Sequence, residues 1–484
     1  MGSLDPRDEP GEELVRRTAR NVTFTASGQV VGKVSTLVWT LLAARQLGPG
    51  GFGLFALVLA IAQLVSAVVE WGFDSVLVHQ GSRDRSRIPA LLTCALVCET
   101  LVALPAFVIT WFWATGSHGG GAVFGVTLAL VLAAQHLEIC TDTVRGAAGA
   151  MQDLKATSVA LVVQRLTTAA LASASCVLGF GPRGLGLALL AGAMVGVGAT
   201  AVAGRRTGLG LGRITRADLM AFERRARTVG VSAIVLMALF RLDVVIVSAF
   251  EGDRAVAHYA AAYKLFEAML FVVFSIRSAV FPVMSASRDA ARTGSYFEQG
   301  YAAAAVLYVP FAVVCLVEAP GIIRLLYGGE YVDAASSSLR WLALAPLTYG
   351  AAYLGSASLQ AIGKARHMLP AALAATAANL VGNLLLIPVY GIAAAAAVTT
   401  GSYAVQAAVS LFLLRREGCR PQLAASVRVP LVGGVVVAAV MLLCPGPLLL
   451  RLAIAGLAHL LVVVVLGDRE GERFSLVRSL LRRG

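Results

Sequence analysis

Long apolar stretches separated by short polar connections run along almost the whole chain. A helix needs about 20 mostly apolar residues to cross roughly 30 Å of hydrocarbon, and many of these stretches have that length. The pattern therefore predicts an all-α polytopic membrane protein with about fourteen transmembrane helices. The spans are expected near residues 23–47, 54–78, 88–114, 121–144, 156–180, 184–204, 228–250, 256–284, 298–322, 336–360, 366–388, 391–414, 427–446 and 449–467.

One long polar segment divides the first six spans from the next six. The stretch GPGGFGLF at 48–55 and the stretch GDRAVAHY at 252–259 follow the first and the seventh span, 204 residues apart. This spacing favours a duplication into two pseudo-symmetric six-helix bundles, although short matches also arise by chance in an alanine- and glycine-rich chain. The expected order is an N-terminal cytoplasmic tail (1–22), a first bundle (23–204), a basic cytoplasmic linker (205–227), a second bundle (228–414), spans thirteen and fourteen (427–467) and a basic cytoplasmic tail (468–484).

Composition agrees with the pattern and excludes a large soluble domain. Hydrophobic residues make up 58% of the 484 residues, and charged residues only 14%. The 40 Lys and Arg exceed the 27 Asp and Glu. With a cytoplasmic N-terminus, about 29 of the basic residues fall on cytoplasmic segments and about 5 outside, as the positive-inside rule expects. This placement favours membrane orientation over nucleic-acid binding and puts both termini in the cytoplasm.

Motifs of soluble enzymes are present only in outline. The G-x-G-x-x-G pattern at 179–184 lies in a turn between two apolar spans, not between a strand and a helix. The stretch GQVVGKV at 28–34 resembles a phosphate-binding loop, but it is one residue short and Val34 has no hydroxyl. The histidines are scattered. We therefore expect no cofactor, no metal site and no catalytic residue.

Ionisable residues inside the spans are the strongest functional signal. A charge at the bilayer centre costs at least ~2.5 to 3.5 kcal/mol, so such residues are expected to line a wet cavity. Cations outnumber acids here, which indicates an anionic ligand; snorkelling to the interface or pairing between helices are the alternatives. The candidate binding residues are Lys33, Arg241, Arg277, Lys264, Arg165 and Gln29, and the candidates for sodium or proton coupling are Asp243 and Glu267.

Further acids lie in apolar runs of the fourth and other spans. Glu138, Asp142 and Arg145 recur at helical spacing. A self-neutralising helix face is the simpler interpretation, and ion coupling is the alternative.

Several segments resemble a known transporter family. ARQLGP at 44–49 followed by FGLF at 52–55 looks like the segment after its first helix, and Arg241-Leu242-Asp243 with HYAAAYKL at 258–265 resembles its seventh-helix pattern and the segment that follows. Phe281-Pro282 is similar to its eighth-helix ending. The family is the polysaccharide-transporter branch of the multidrug/oligosaccharidyl-lipid/polysaccharide (MOP) exporter superfamily. The first-helix arginine common in that family is replaced here by Lys33, a point charge.

The resemblance implies a flippase in a bacterial cytoplasmic membrane. Two bundles would enclose a V-shaped cavity that opens to each side in turn. Its cations would meet an undecaprenyl-pyrophosphate-linked glycan while the polyprenyl tail stays among the membrane lipids. A multidrug/cation antiporter, a membrane enzyme and a scaffold are the alternative functions; the antiporter site should be acidic and aromatic, whereas only 7% of residues are aromatic.

Overall fold

The computed structural model describes residues 9–117, 121–151, 155–287, 289–467, 474 and 476–477, with the backbone alone for residues 9–30. Within these ranges the chain forms helices and no strand. The α-helices are α1 (Glu9–Glu70), α2 (Phe73–Gly81), α3 (Ile88–Ser117), α4 (Ala122–Ala150), α5 (Lys155–Val177), α6 (Gly181–Arg206), α7 (Arg216–Ser287), α8 (Ala290–Tyr327), α9 (Val332–Leu342), α10 (Ala345–Ala361), α11 (Met368–Arg416), α12 (Leu423–Leu443) and α13 (Leu448–Gly467).

Ten of the described helices are long and apolar enough to cross a membrane. Three of them, α1, α7 and α11, each contain a glycine with non-helical backbone angles that joins two helical segments, and α10 is a further apolar helix of 17 residues. Counting two segments each for α1, α7 and α11, the described helices provide about as many apolar segments as the fourteen predicted spans. α1 begins at Glu9, inside the stretch predicted as a tail.

The breaks in α1 and α7 have the same backbone geometry. Gly48 has φ 63° and ψ 180°, and Gly252 has φ 78° and ψ 178°. A positive φ is the left-handed region that residues with a Cβ rarely adopt, so glycine is required at both turns. Gly48 and Gly252 are 204 residues apart, the same separation as the two similar stretches of sequence. Their matching backbone angles therefore support the proposed duplication.

The chain divides into two compact units, residues 1–237 and 238–484. In the first unit α5 packs on α6 and on α1, and α6 also packs on α4. The α5–α6 contact is close: a Cβ on Gly192 would lie 3.0 Å from the Thr168 Cα. Small residues of this kind let transmembrane helices approach each other.

In the second unit α10 packs on α11, and α12 packs on both α8 and α13. His459 of α13 is buried and its Nε2 lies 2.8 Å from the Val306 carbonyl oxygen of α8. Arg451 of α13 pairs with Glu318 of α8 at 2.5 Å. Polar contacts therefore fix α13 to α8, and packing holds α12 against both.

Candidate functional site

Three of the predicted site residues meet in the second unit. Arg241 pairs with Glu267, and the Lys264 Nζ lies 2.7 Å from the other oxygen of the same carboxylate. Their side chains are about four-fifths buried, with 17%, 20% and 19% exposed for Arg241, Lys264 and Glu267. Two cations thus share one carboxylate, and we call Arg241, Lys264 and Glu267 the cationic cluster.

Asp243 does not belong to the cationic cluster. Successive helical residues are rotated by about 100°, so Asp243 faces nearly opposite to Arg241. Its carboxylate is fully buried and accepts hydrogen bonds from the Tyr259 hydroxyl, from the Thr399 hydroxyl at 3.1 Å and from the Val244 backbone N–H at 2.8 Å. Asp243 and Glu267, both predicted as coupling residues, therefore lie in different surroundings.

Arg277 forms a separate site farther along α7. It lies 13 residues beyond Lys264, roughly 20 Å along a helix that rises 1.5 Å per residue. Its guanidinium donates to the Gln360 side-chain oxygen at 2.8 Å and lies 5.4 Å from the Tyr353 ring centre and 4.8 Å from that of Phe281. Neither interaction neutralises its charge.

In the first unit Arg165 is neutralised across helices. Its guanidinium contacts the Glu138 carboxylate of α4 at 3.0 Å, and the Gln164 amide donates to the same oxygen at 3.1 Å. The Arg165 stem packs over Gly32 of α1, where a Cβ would be 3.2 Å away. Arg165 is thus held where α1, α4 and α5 meet. Because Glu138 neutralises it, Arg165 is less suited to binding an anion than the sequence predicted.

Lys33 follows Gly32 on α1, and its side chain is exposed. Lys33 therefore lies on the surface of the first unit, next to the contact between Gly32 of α1 and Arg165 of α5. The side chain of Gln29, predicted one turn earlier, lies outside the described residues.

Some partners were missed from the sequence. Glu138 was assigned to a local face with Asp142 and Arg145; Asp142 and Arg145 do pair, but Glu138 reaches Arg165 instead. The sequence did not identify Gln360 as a partner of Arg277 or Thr399 as a partner of Asp243. Neutral polar residues are common in transmembrane helices, and each partner is more than 80 residues away in the chain. Only the tertiary fold brings these pairs together.

The arrangement is suited to binding an anion. Guanidinium and ammonium groups in partly buried surroundings form strong charge-assisted hydrogen bonds to phosphate oxygens. Among the described residues, no group of three His, Cys, Asp or Glu could hold a metal ion.

A polytopic helical bundle with charged groups inside its apolar segments is typical of the membrane transporter class of protein. The family model described as polysaccharide biosynthesis protein matches residues 18–288, more than half of the chain, and the MatE model matches residues 229–385. The chain therefore belongs to the polysaccharide biosynthesis protein family. No curated protein matches the sequence closely enough to be reported as a relative.

Solved structures share this fold. The lipid II flippase MurJ in an inward closed conformation matches with a TM-score of 0.76 at 14% identity, over 92% of this chain and 99% of its own. An inward-facing multidrug resistance MATE transporter matches with 0.64 at 16%, over 82% and 95%. A MOP superfamily transporter from Pyrococcus furiosus, whose binding pocket has reverse polarity, matches with 0.59 at 15%, over 84% and 96%. The chain therefore has a MurJ- and MATE-like fold, which confirms the all-α polytopic architecture predicted from the sequence.

Proposed function

We propose that the protein is a flippase that moves a polyprenyl-(pyro)phosphate-linked oligosaccharide from the cytoplasmic to the outer leaflet of a bacterial cytoplasmic membrane, by alternating access, for cell-surface polysaccharide synthesis. The observation that carries the proposal is the cationic cluster, in which Arg241 and Lys264 share the single carboxylate of Glu267. Two neighbouring cations in an apolar segment repel each other, and holding them there is costly unless a ligand uses them.

A pyrophosphate headgroup fits this charge. It brings about two negative charges into surroundings of low dielectric, where the attraction of positive groups is strong enough to offset its lost water. Membership of the polysaccharide biosynthesis family supports a sugar-bearing cargo, and the likeness to a lipid II flippase supports a lipid-linked one. In this proposal the tail stays in the membrane and the undecaprenyl chain is the expected carrier.

Three cations are proposed to act on the headgroup at successive positions, because Arg277 lies roughly 20 Å along α7 from Lys264 and cannot contact the headgroup together with the cationic cluster. Arg241 belongs to the cationic cluster, Arg277 is held by Gln360 and two aromatic rings, and Lys33 is exposed on the first unit. Lys264, Arg165 and Gln29 are assigned supporting roles. Arg165 acts mainly by holding α1, because Glu138 already neutralises it.

To test the proposed function, the gene is deleted in its host and each variant is expressed in the deletion strain. Lys33→Ala, Arg241→Ala and Arg277→Ala should each lower export of surface polysaccharide roughly 10- to 100-fold, since a hydrogen bond to a charged group contributes about 1.5 to 3 kcal/mol. Lys33→Arg should keep much of the activity because it retains the charge. The readouts are surface polysaccharide and the lipid-linked precursor accumulated inside.

Arg340→Ala is the matched control, because Arg340 is an exposed arginine of the second unit. It should export as the unaltered protein does. Full export by all three alanine variants at normal membrane levels would contradict a cationic binding site. Loss of the proteins from the membrane would assign the three residues to stability instead.

A multidrug/cation antiporter is the second candidate, favoured by the MatE match and by the buried carboxylate of Asp243. An antiporter for cationic drugs needs acids to bind them, and the cationic cluster would repel them. Drug susceptibility of the deletion strain separates the two functions: hypersensitivity with normal surface polysaccharide would favour the antiporter.

Coupling to sodium or protons completes the proposal. Asp243 is the better candidate, because Glu267 is paired with two cations whereas Asp243 accepts only from neutral donors.

A further inference from the structure

A basic pocket of about 730 Å³ lies at the connection between α11 and α12. Its lining includes Arg415, Arg420, Arg428 and the first turn of α12, residues 423–425. All three arginines are exposed. We call this feature the arginine pocket; it lies within the second unit and contains none of the residues assigned to transport.

Two acids near the arginine pocket have partners other than its three arginines. Glu417 binds the Lys364 Nζ at 2.9 Å, and this ammonium holds the pKa of the Glu417 carboxyl below its usual range. Glu298 accepts the Gln422 backbone N–H at 2.7 Å. Across the described part of the chain, no carboxylate forms an ion pair with any of the three arginines. With three arginines in its lining and the one carboxylate of Glu298 bound to the lining residue Gln422, the pocket keeps a surplus of positive charge.

An apolar strip continues from the arginine pocket along α12. Arg428, Leu431, Val432 and Val435 are all exposed, and their spacing of three, four and seven residues places them on one helix face. α11 and α12 are both candidate membrane spans. The pocket thus lies where two apolar helices meet the polar connection, with cations at the end of an outward-facing apolar strip.

We propose that the arginine pocket binds the phosphate headgroup of an anionic membrane phospholipid, with one acyl chain along the strip from Leu431 to Val435. Basic pockets between transmembrane helices at the membrane surface are suited to such headgroups. Guanidinium groups match phosphate oxygens in bidentate geometry, and the N–H groups that begin α12 add donors on the same side. The site is independent of the transported substrate, because it would retain a lipid of the surrounding bilayer.

The test uses the purified full-length protein in a neutral detergent. Added dioleoylphosphatidylglycerol should raise its thermal midpoint, and native mass spectrometry should show bound lipid. The variant Arg415→Gln/Arg420→Gln/Arg428→Gln should bind this lipid roughly tenfold more weakly or worse, since each basic residue near an anionic surface contributes about 1 kcal/mol. The matched control, Arg83→Gln/Arg85→Gln/Arg87→Gln, removes three arginines from a polar connection of the first unit and should bind normally.

Two further arms keep the proposal falsifiable. Ala424→Glu places a carboxylate at the rim and leaves the arginines intact, so it should weaken lipid binding even if the triple glutamine variant folds poorly. Inorganic phosphate at millimolar concentration should not replace the lipid. Equal lipid binding by the unaltered protein and by Ala424→Glu would overturn the proposal. Equal stabilisation by inorganic phosphate would also overturn it, since the pocket would then be a site for a free anion.

Discussion

Asp243 and Arg241 are two residues apart, yet they have different surroundings. Arg241 reaches a charged partner, while Asp243 is buried among three neutral donors. The sequence showed that both charges lie in an apolar segment, and helical rotation separates them. What it could not show is the identity of their partners, because Thr399 is distant in the chain and has no charge.

Asp243→Asn is the prediction at this scale. An amide nitrogen cannot accept, so at least one buried donor loses its acceptor, which costs about 1 to 3 kcal/mol. We expect a lower thermal midpoint for the purified protein. If Asp243 couples transport to an ion, export should also lose its dependence on the sodium or proton gradient.

Thr399→Val is the control for Asp243→Asn. It removes one donor and keeps the carboxylate, so it should lower stability to a smaller extent and leave the ion dependence unchanged. Normal stability and normal transport of Asp243→Asn under every sodium and proton gradient would exclude both a structural and a coupling role.

Among elements, hydropathy predicted the spans better than their ends. The spans expected at 427–446 and 449–467 correspond to α12 and α13, each within a few residues. The turn at Gly252 falls in the gap between the spans predicted at 228–250 and 256–284, where Glu251, Asp253 and Arg254 interrupt the apolar sequence. Arg451 was not recognised as a contact residue, since it lies close to the start of a span, where a basic residue is ordinary.

The Glu318–Arg451 pair predicts how α13 is attached to α8. Glu318 stands at an interruption of α8, where its φ is −114° and its ψ is 24°. Arg451→Ala leaves the carboxylate without its cation, and we expect a loss of about 2 to 3 kcal/mol, below the value for a fully buried pair because about a fifth of each side chain is exposed. Thermal unfolding in detergent measures it.

A double-mutant cycle decides whether the pair itself is responsible. Glu318→Gln combined with Arg451→Ala should lose less stability than the sum of the two single variants, because neither charge is then left alone. Strictly additive losses would show that the two residues stabilise the protein independently.

For the whole molecule, the untested prediction is orientation. Fourteen spans with both termini in the cytoplasm place Ser117 outside and Thr215 inside, as the distribution of basic residues requires. In intact cells, a membrane-impermeant maleimide should label an engineered cysteine at Ser117 and not one at Thr215. The opposite result would invert the topology.

The natural cysteines provide the background for this experiment. Five of the seven are buried, and Cys140 and Cys444 are half-buried. Buried thiols react slowly. The protein without engineered cysteines should remain almost unlabelled; replacing Cys140 and Cys444 by alanine removes the remainder.

Glu267 gives the cationic cluster a resident counter-anion. Any phosphate that binds Arg241 and Lys264 must compete with this carboxylate, so arrival and departure become an exchange between two anions. The apparent affinity falls by the fraction of time that Glu267 occupies the cations. For a carrier this is an advantage, because a tethered competitor that rebinds at once speeds the release of a ligand the cations alone would retain.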